Sequence, residues 1–170
     1  MRHLYCPKCG ARLGERQAGD DGAVPYCGAC GRFWFDAFAT CVIVLVVNGR
    51  GEVLLLRQDY LSRKHATIIS GYMKPGENAE QAARREVLEE VGLTLSSLRY
   101  GGTCWFAPGD MLMIGFIGRA ESDELRLSGE VNAAQWVDPA VAATLVVPKT
   151  PGSPVHMLLD LQRTLSGAET

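Results

Sequence analysis

The longest run of apolar residues covers positions 37–47 and is interrupted by a single threonine. The run is too short to cross a bilayer and is rich in β-branched side chains, so it predicts a buried strand. Asn48-Gly49-Arg50-Gly51 is a strong turn signal, and residues 52–57 are largely apolar again, which predicts a β-hairpin. Other apolar segments predict strands at 66–70, 95–105, 111–118 and 131–137.

Helical periodicity is clearest at residues 79–91, where the apolar side chains share one arc. Asn78 and Gln81 predict a capping box at the start of this helix, and Gly92 predicts its end. Asp138-Pro139 predicts a short second helix, and Ser153-Pro154 predicts a capped final helix through about residue 165. Mixed strands with helices on both sides predict an α/β sandwich.

A second arc of the predicted helix carries three carboxylates, those of Glu86, Glu89 and Glu90. Like charges three or four positions apart destabilise an isolated helix by about 0.2–0.5 kcal/mol per pair, so a neutralising partner is expected. Mg²⁺ and Mn²⁺ prefer carboxylate oxygen and take further ligands from substrate phosphates. The arc therefore predicts metal-assisted attack on a phosphate ester or anhydride, and the alternative is a solvated charged face.

Residues 71–93, GYMKPGENAEQAARREVLEEVGL, resemble the Nudix hydrolase box at every fixed position. These positions are Gly71, Glu77, Arg85, Glu86, Val87, Glu89, Glu90, Gly92 and Leu93. The resemblance implies a Nudix α/β/α sandwich with a mixed sheet, which we assign to residues 37–170. It also implies hydrolysis of a nucleoside diphosphate linkage with Mg²⁺ or Mn²⁺ as cofactor.

The resemblance also suggests roles for individual residues. The backbone carbonyl of Ser70 and the side chains of Glu86, Glu90 and Glu130 are expected to hold the divalent cation. Glu130 lies in a stretch similar to the Glu-x-x-x-Ala-x-Trp pattern of one subfamily, and the alternative for it is a solvated residue at a strand start. The catalytic candidates are Glu89, Glu90 and Arg85, and the residue that acts as general base stays open. Arg85 could instead form a salt bridge with Glu77 that holds the loop against the helix.

Two Cys-x-x-Cys pairs stand near the N-terminus, formed by Cys6 with Cys9 and by Cys27 with Cys30. This spacing is typical of a zinc ribbon, which we assign to residues 1–36. Such a short unit has little core, so Zn²⁺ is expected to stabilise its fold. The alternative, two disulfides, is disfavoured because no apolar signal segment precedes Cys6.

A zinc ribbon followed by a Nudix domain resembles the NADH pyrophosphatase subfamily. That subfamily carries Ser-Gln-Pro-Trp-Pro-Phe-Pro after the box, and this chain has Gly-Thr-Cys-Trp-Phe-Ala-Pro at 102–108. Trp105 and Pro108 match, whereas the serine, the glutamine and two prolines do not. Tyr72 corresponds to an aromatic position that stacks on the substrate base, and Trp105 is its expected partner. Either ring could instead fill core.

Net charge and the lengths of the apolar runs restrict which binding partners we expect for the protein. The whole chain has a formal net charge of −2, and residues 1–36 contain five Lys/Arg against four Asp/Glu, which argues against a general nucleic-acid interface. We expect a cytoplasmic enzyme without a membrane span, acting on a small nucleotide and forming a homodimer as the resemblance implies.

NAD(H) or a related dinucleotide, cleaved to two mononucleotides, is the favoured substrate. ADP-ribose, a nucleotide sugar or an NAD-capped RNA end stays open as an alternative. A more distant alternative is a nucleotide-sensing protein that uses the ribbon to dock a partner.

Overall fold

The computed structural model describes residues 3–168 and divides the chain into two compact units, Met1–Ala39 and Thr40–Thr170. The domain boundary expected after residue 36 stays a prediction. No helix within the described residues combines the length and apolar character that a membrane span requires.

The first unit contains a three-stranded antiparallel sheet of β1 (Gly14–Gln17), β2 (Ala23–Cys27) and β3 (Arg32–Phe33). Tyr26 of β2 lies opposite Phe33 of β3, and their rings meet edge to face with centroids 5.0 Å apart. Cross-strand aromatic pairs of this kind stabilise antiparallel strands.

The second unit is built on a six-stranded sheet. Its strands are β4 (Ala39–Val47), β5 (Val53–Arg57), β6 (Ile69–Tyr72), β7 (Leu95–Phe106), β8 (Met111–Ala120) and β9 (Ala133–Val137). The order is β7-β8-β4-β5-β9, with β6 paired antiparallel to β4. The α-helices that the described part of this unit contains are α1 (Ala79–Val91), α2 (Pro139–Leu145) and α3 (Pro154–Ala168).

Strand β4 is buried on both faces, which separates two hydrophobic cores. Its odd-numbered residues from Cys41 to Val47 pack into one core with residues of α2 and α3. Its even-numbered residues from Val42 to Val46 pack into the other core with residues of α1. Because neighbouring strand residues point to opposite faces, a continuous apolar run suits this position. The expected α/β sandwich is confirmed.

Helix α1 begins and ends where its sequence signals predict. The Asn78 side chain accepts from the Gln81 amide at 2.8 Å, and the Gln81 side chain accepts from the Asn78 amide at 2.9 Å. Gly92 adopts a left-handed conformation with φ 71°. Asp138 caps α2 by accepting from the Ala140 amide at 2.7 Å.

Several element boundaries differ from the sequence expectation. The strand expected at 66–70 is observed at Ile69–Tyr72, so Gly71 and Tyr72 are strand residues and not loop residues. The strand expected from position 37 begins at Ala39, and the one expected from 131 begins at Ala133.

One local detail also differs. The buried hydroxyl of Ser153 has no hydrogen-bond partner among the described residues, so it does not cap α3.

The turn predicted after β4 is present, and Gly51 in it adopts a left-handed conformation with φ 83°. The buried Asn48 side chain holds that turn by accepting from the amides of Arg50 and Glu52.

Candidate functional site

The contact between Gly71 and Glu86 places helix α1 against strand β6. A Cβ atom at Gly71 would lie 2.1 Å from the Glu86 carboxyl carbon, far inside van der Waals contact. A side chain at this position would therefore displace the Glu86 carboxylate, which lies directly over the strand backbone and is held there by Arg85. This constraint comes from a close approach and not from an unusual backbone angle.

Arg85 connects the loop before α1 to the carboxylates on α1. Its Nε and Nη2 atoms donate to the two Glu77 carboxylate oxygens at 2.5 and 2.9 Å. Its Nη1 donates to Glu86 at 2.5 Å and to Glu89 at 3.0 Å. A bidentate, largely buried guanidinium gives strong geometric constraint. The salt bridge with Glu77, weighed above as a structural alternative for Arg85, is thus present in the fold.

The same contacts set the charge state of the loop. Hydrogen bonds from Arg85, and then from the Lys74 amide, lower the pKa of Glu77 to about 2. The Lys74 ammonium lies 3.5 Å from Glu89, whose side chain is 51 % exposed. Glu89 is therefore solvated and paired with two cations.

Glu90 has the opposite environment. It is only 5 % exposed, although it lies one position along the helix from Glu89. Burial, and then the negative charges of Glu86 and Glu130, raise the pKa of Glu90 to about 7. The Gln58 amide donates to the Glu90 carboxylate at 3.4 Å and only partly offsets these effects. Glu90 can therefore exchange a proton near neutral pH.

Glu130 reaches this cluster from a distant part of the sequence. It lies in the turn that precedes β9 and is exposed. Its charge raises the pKa of Glu90, and the charges of Glu90, Glu130 and Glu86 add to burial in raising the pKa of Tyr60. The structure thus brings Glu86, Glu90 and Glu130 to one place.

These side chains open into one cavity of about 950 Å³ within the second unit. Tyr72 at the end of β6 and Trp105 near the end of β7 both line it, with 61 % and 46 % of their surfaces exposed. Neither ring fills core. Ser70, Arg85 and Glu89 also line the cavity, so the predicted members of the nucleotide site lie together.

The donor set of the cavity suits a hard divalent cation. Three carboxylates gather beside a buried side-chain oxygen, Oε1 of Gln58, that has no partner within the described residues. Their oxygens do not converge as tightly as the cysteine sulfurs described next. Mg²⁺ and Mn²⁺ are commonly bound through one or two carboxylates and keep several waters, so a site for them does not require all the protein oxygens to converge.

The four ribbon cysteines converge closely in the first unit. All their sulfur atoms lie within 4.8 Å of one another, with Cys6 and Cys30 at 3.9 Å and Cys9 and Cys27 at 3.6 Å. A tetrahedron with Zn–S bonds of about 2.3 Å has sulfur separations of about 3.8 Å. All six cysteines are free thiols, which disagrees with the disulfide alternative.

Backbone groups favour a thiolate at Cys6, whereas the neighbouring Cys9 thiol, burial and the Cys27 thiol raise the pKa of Cys30 to about 12. Burial of Cys6 is outweighed by hydrogen bonds from the backbone at Cys9 and Lys8, so that its pKa is lowered to about 6. The Cys30 amide donates to the Cys27 sulfur at 3.4 Å. Each Cys-x-x-Cys pair is followed directly by a glycine in the left-handed conformation, Gly10 after the first pair and Gly31 after the second. The unit therefore fits a tetrahedral thiolate-bound cation.

The remaining cysteines have another character. Burial raises the pKa of Cys41, with a smaller effect from Glu86, and burial also raises the pKa of Cys104. A raised pKa makes a thiol a poor nucleophile at neutral pH. Cys41 is buried and Cys104 is half-buried, so neither has the exposed, acidified thiol of a typical nucleophile.

Several lining residues were not found from the sequence, among them the polar Gln58, Tyr60 and Lys74. Lys74 lies inside the box, but between its fixed positions. Gln58 and Tyr60 directly follow β5, and polar residues at the end of a buried strand were the available signal.

A model of the NUDIX domain matches residues 37–156. The chain therefore belongs to the Nudix family, as the box predicted, and the expected Nudix fold is confirmed.

Curated relatives carry a more specific name. A protein of Haemophilus influenzae named NAD-capped RNA hydrolase NudC is 34 % identical over 137 residues, covering 79 % of this chain and 51 % of its own length. The Pseudomonas aeruginosa protein of that name is 36 % identical over 134 residues, covering 78 % and 46 %. This chain thus spans about half the length of the curated relatives it matches.

Solved structures support the fold. A NUDIX hydrolase from Nitrosomonas europaea has a TM-score of 0.72 at 16 % identity, covering 96 % of this chain and 91 % of its own. A C. elegans Ap4A hydrolase has a TM-score of 0.60 at 24 % identity, covering 76 % and 98 %.

Proposed function

We propose that this protein hydrolyses a nucleoside diphosphate linkage with Mg²⁺ or Mn²⁺ as cofactor. The observation that carries the proposal is one cavity in which Glu86, Glu90 and Glu130 face two exposed aromatic rings, those of Tyr72 and Trp105. Carboxylates suit a cation that binds phosphate, and aromatic rings suit a nucleobase. The cavity therefore contains groups for both halves of a nucleotide.

Each group has a defined role in this proposal. Glu86, Glu90, Glu130 and the Ser70 carbonyl would hold the cation, which supplies charge neutralisation of the diphosphate and acidifies water. Arg85 keeps Glu86 and Glu89 in place through its ion pairs. Tyr72 and Trp105 stack on the base and fix the orientation of the diphosphate.

The reaction breaks one phosphoanhydride bond. The oxygen of a water attacks one phosphorus, the bridging oxygen leaves with the other phosphate, and a carboxylate takes the proton of the water. Glu89 and Glu90 both line the cavity and are the candidates for this transfer; Glu89 is exposed and paired with Lys74 and Arg85, whereas Glu90 is buried and is also proposed as a cation ligand. NAD(H) would give AMP and the nicotinamide mononucleotide.

The favoured substrate is NAD(H) or a related dinucleotide, including an NAD-type cap on RNA. The names of the curated relatives support this choice. ADP-ribose and nucleotide sugars are the competing substrates. A sensor that does not cleave would have no use for the full set of catalytic carboxylates.

The ribbon, residues 1–36, is proposed to bind one structural Zn²⁺ through Cys6, Cys9, Cys27 and Cys30, with residues 37–170 forming the Nudix domain. The six free thiols fit a reducing, cytoplasmic location. A homodimer is proposed from the resemblance alone.

The test is a substrate panel. The protein is incubated with NAD⁺, NADH, ADP-ribose, a nucleotide sugar and NAD-capped RNA, each with Mg²⁺ or Mn²⁺ and with a chelated control. Products are separated by chromatography. We expect two mononucleotides from NAD(H) and none in the chelated samples. Preference for a nucleotide sugar would show that NAD(H) is not the favoured substrate. Absence of metal-dependent cleavage for every compound in the panel would refute the proposed activity.

A further inference from the structure

Gln58 is the buried amide of the cavity. It is 2 % exposed and lies directly after β5. Its Nε2 donates to the Glu90 carboxylate at 3.4 Å, and its Oε1 is buried without a hydrogen-bond partner within the described residues. A buried acceptor without a donor destabilises the fold, so the presence of this unpaired oxygen calls for an explanation.

The backbone around Gln58 is held from two directions. Its carbonyl accepts from the amides of Leu61 and Ser62 at 2.9 and 3.0 Å. On either side, Asn132 donates to the Arg57 carbonyl and accepts from the Asp59 amide, both at 2.8 Å. Asn132 lies two positions after Glu130. The fold thus fixes Gln58 between Glu90 on α1 and the segment that carries Glu130.

The surroundings of Gln58 restrict which groups can donate a hydrogen bond to its Oε1 atom. Ionised carboxylates are acceptors only, so Glu86, Glu90 and Glu130 offer it no donor while they carry charge. A water in the hydration shell of a divalent cation is a strong donor. Groups that hydrogen-bond both a ligand carboxylate and the hydration shell of an ion orient the site without touching the ion.

We propose that Gln58 is a positioning residue, whose amide nitrogen orients the Glu90 carboxylate and whose amide oxygen accepts a hydrogen bond from the hydration shell of the divalent cation. This inference rests on the proposed function, because it assigns Gln58 to the same cation site. Gln58 contacts neither the nucleotide nor the reacting phosphorus.

The test uses Gln58→Leu and Gln58→Met, both close in volume to glutamine; leucine has no hydrogen-bonding group, and methionine has no donor and only a weak thioether acceptor. Mn²⁺ binding to the substrate-free protein is measured by isothermal titration calorimetry, and kcat and KM are measured on the best panel substrate. Gln162→Leu is the matched control, because Gln162 is also buried but lies on α3 outside the cavity. Thermal unfolding in chelator reports on the fold.

We expect both Gln58 variants to bind Mn²⁺ at least about tenfold more weakly and to lose about 10- to 100-fold in kcat. KM should change little, and Tm in chelator should stay level or rise because an unsatisfied polar group is removed. Gln162→Leu should match the wild type in Mn²⁺ binding and kcat.

Wild-type Mn²⁺ affinity and kcat in folded Gln58 variants would overturn the inference and leave the proposed function standing. Loss of fold in both variants would also overturn it, since the role of Gln58 would then be structural. A wild type that neither binds Mn²⁺ nor cleaves any panel substrate would refute the proposed function itself.

Discussion

At the scale of a residue, Glu89 and Glu90 show that tertiary contacts, and not sequence position, set the exposure and the partners of a carboxyl group. The two are neighbours in sequence, yet one side chain is half exposed and paired with Lys74 and Arg85, and the other residue is buried. Burial and like charge raise the pKa of Glu90 to about 7. The buried Glu90 is the one that we propose as a cation ligand, and the exposed Glu89 is tied to Arg85 and Lys74.

The substitution Glu90→Gln should remove activity without removing the fold. It keeps side-chain size and helix propensity but deletes the charge that a hard cation needs, so turnover should fall by about 10²-fold or more. Steady-state assays at saturating Mg²⁺ or Mn²⁺ measure this, with the exposed Glu80→Gln on the same helix as control. Near-normal turnover in Glu90→Gln would contradict the proposed site.

The stability of the metal-free protein should fall with rising pH because of Glu90. Its folded-state pKa, about 7, lies above the ordinary value of 4.5, so the folded state binds the proton more tightly. That contribution is fully present below about pH 4.5 and is lost as pH rises through about 7. Each pKa unit corresponds to about 1.4 kcal/mol, so Glu90→Gln should be the more stable form above pH 7 by up to a few kcal/mol.

Urea unfolding in chelator at pH 5 and pH 8 measures this effect. Parallel changes in the free energy of unfolding for wild type and Glu90→Gln between the two pH values would show that Glu90 ionises normally in the folded protein.

Strand β6 and helix α1 form the central structural unit of the site at the scale of an element. Their contact requires a backbone without a side chain at Gly71, because the Glu86 carboxylate occupies that space. The β6 strand also continues through Tyr72, which places that ring at the cavity.

The substitution Gly71→Ala should displace the Glu86 carboxylate and lower both activity and stability. A Cβ at 2.1 Å from the carboxyl carbon cannot be accommodated without movement, and such overpacking costs about 1–3 kcal/mol. Urea unfolding and Mn²⁺ titration measure the two effects. Gly49→Ala is the control, because a Cβ there meets nothing within 4 Å. Equal behaviour of the two variants would contradict the close approach.

The strand ends that carry Tyr72 and Trp105 should control substrate affinity. Tyr72→Ala and Trp105→Ala should each raise KM for a dinucleotide about fivefold or more, since stacking contributes about 1–3 kcal/mol per base. The fold should persist because both rings are exposed. Tyr100→Ala removes an exposed ring of β7 outside the cavity and is the control. Unchanged KM in both site variants would place the base elsewhere.

At the scale of the whole molecule, the chain joins a unit with little core to one with two cores. Small units of this kind usually need a metal to fold. We therefore expect loss of Zn²⁺ to affect the folding of the first unit, and changes to the carboxylates to affect hydrolysis.

The purified protein should contain about one zinc per chain, and Cys9→Ser should lose it and unfold or aggregate more readily. Elemental analysis and thermal unfolding measure this. Cys104→Ser, outside the cluster, should keep its zinc. Freshly purified protein without zinc, with Cys6 or Cys30 in disulfides, would contradict the assignment.

The sequence alone determined the features that depend on local spacing. The capping box of α1, the arc of glutamates and the two cysteine pairs were predicted correctly as structure, because caps, helical periodicity and knuckles involve residues within a few positions of one another. The burial of β4 on both faces follows from its continuous apolar run in the same way.

Only the tertiary structure decided which carboxylate is buried and which distant residues meet it. Glu90 lies on α1, Gln58 directly follows β5, and Glu130 precedes β9. The pairing of β5 with β9 brings Gln58 and Glu130 together. The shift of β6 to include Gly71 and Tyr72 depends on its pairing with β4. Strand register and burial arise from contacts between segments far apart in the chain, and no local pattern encodes them.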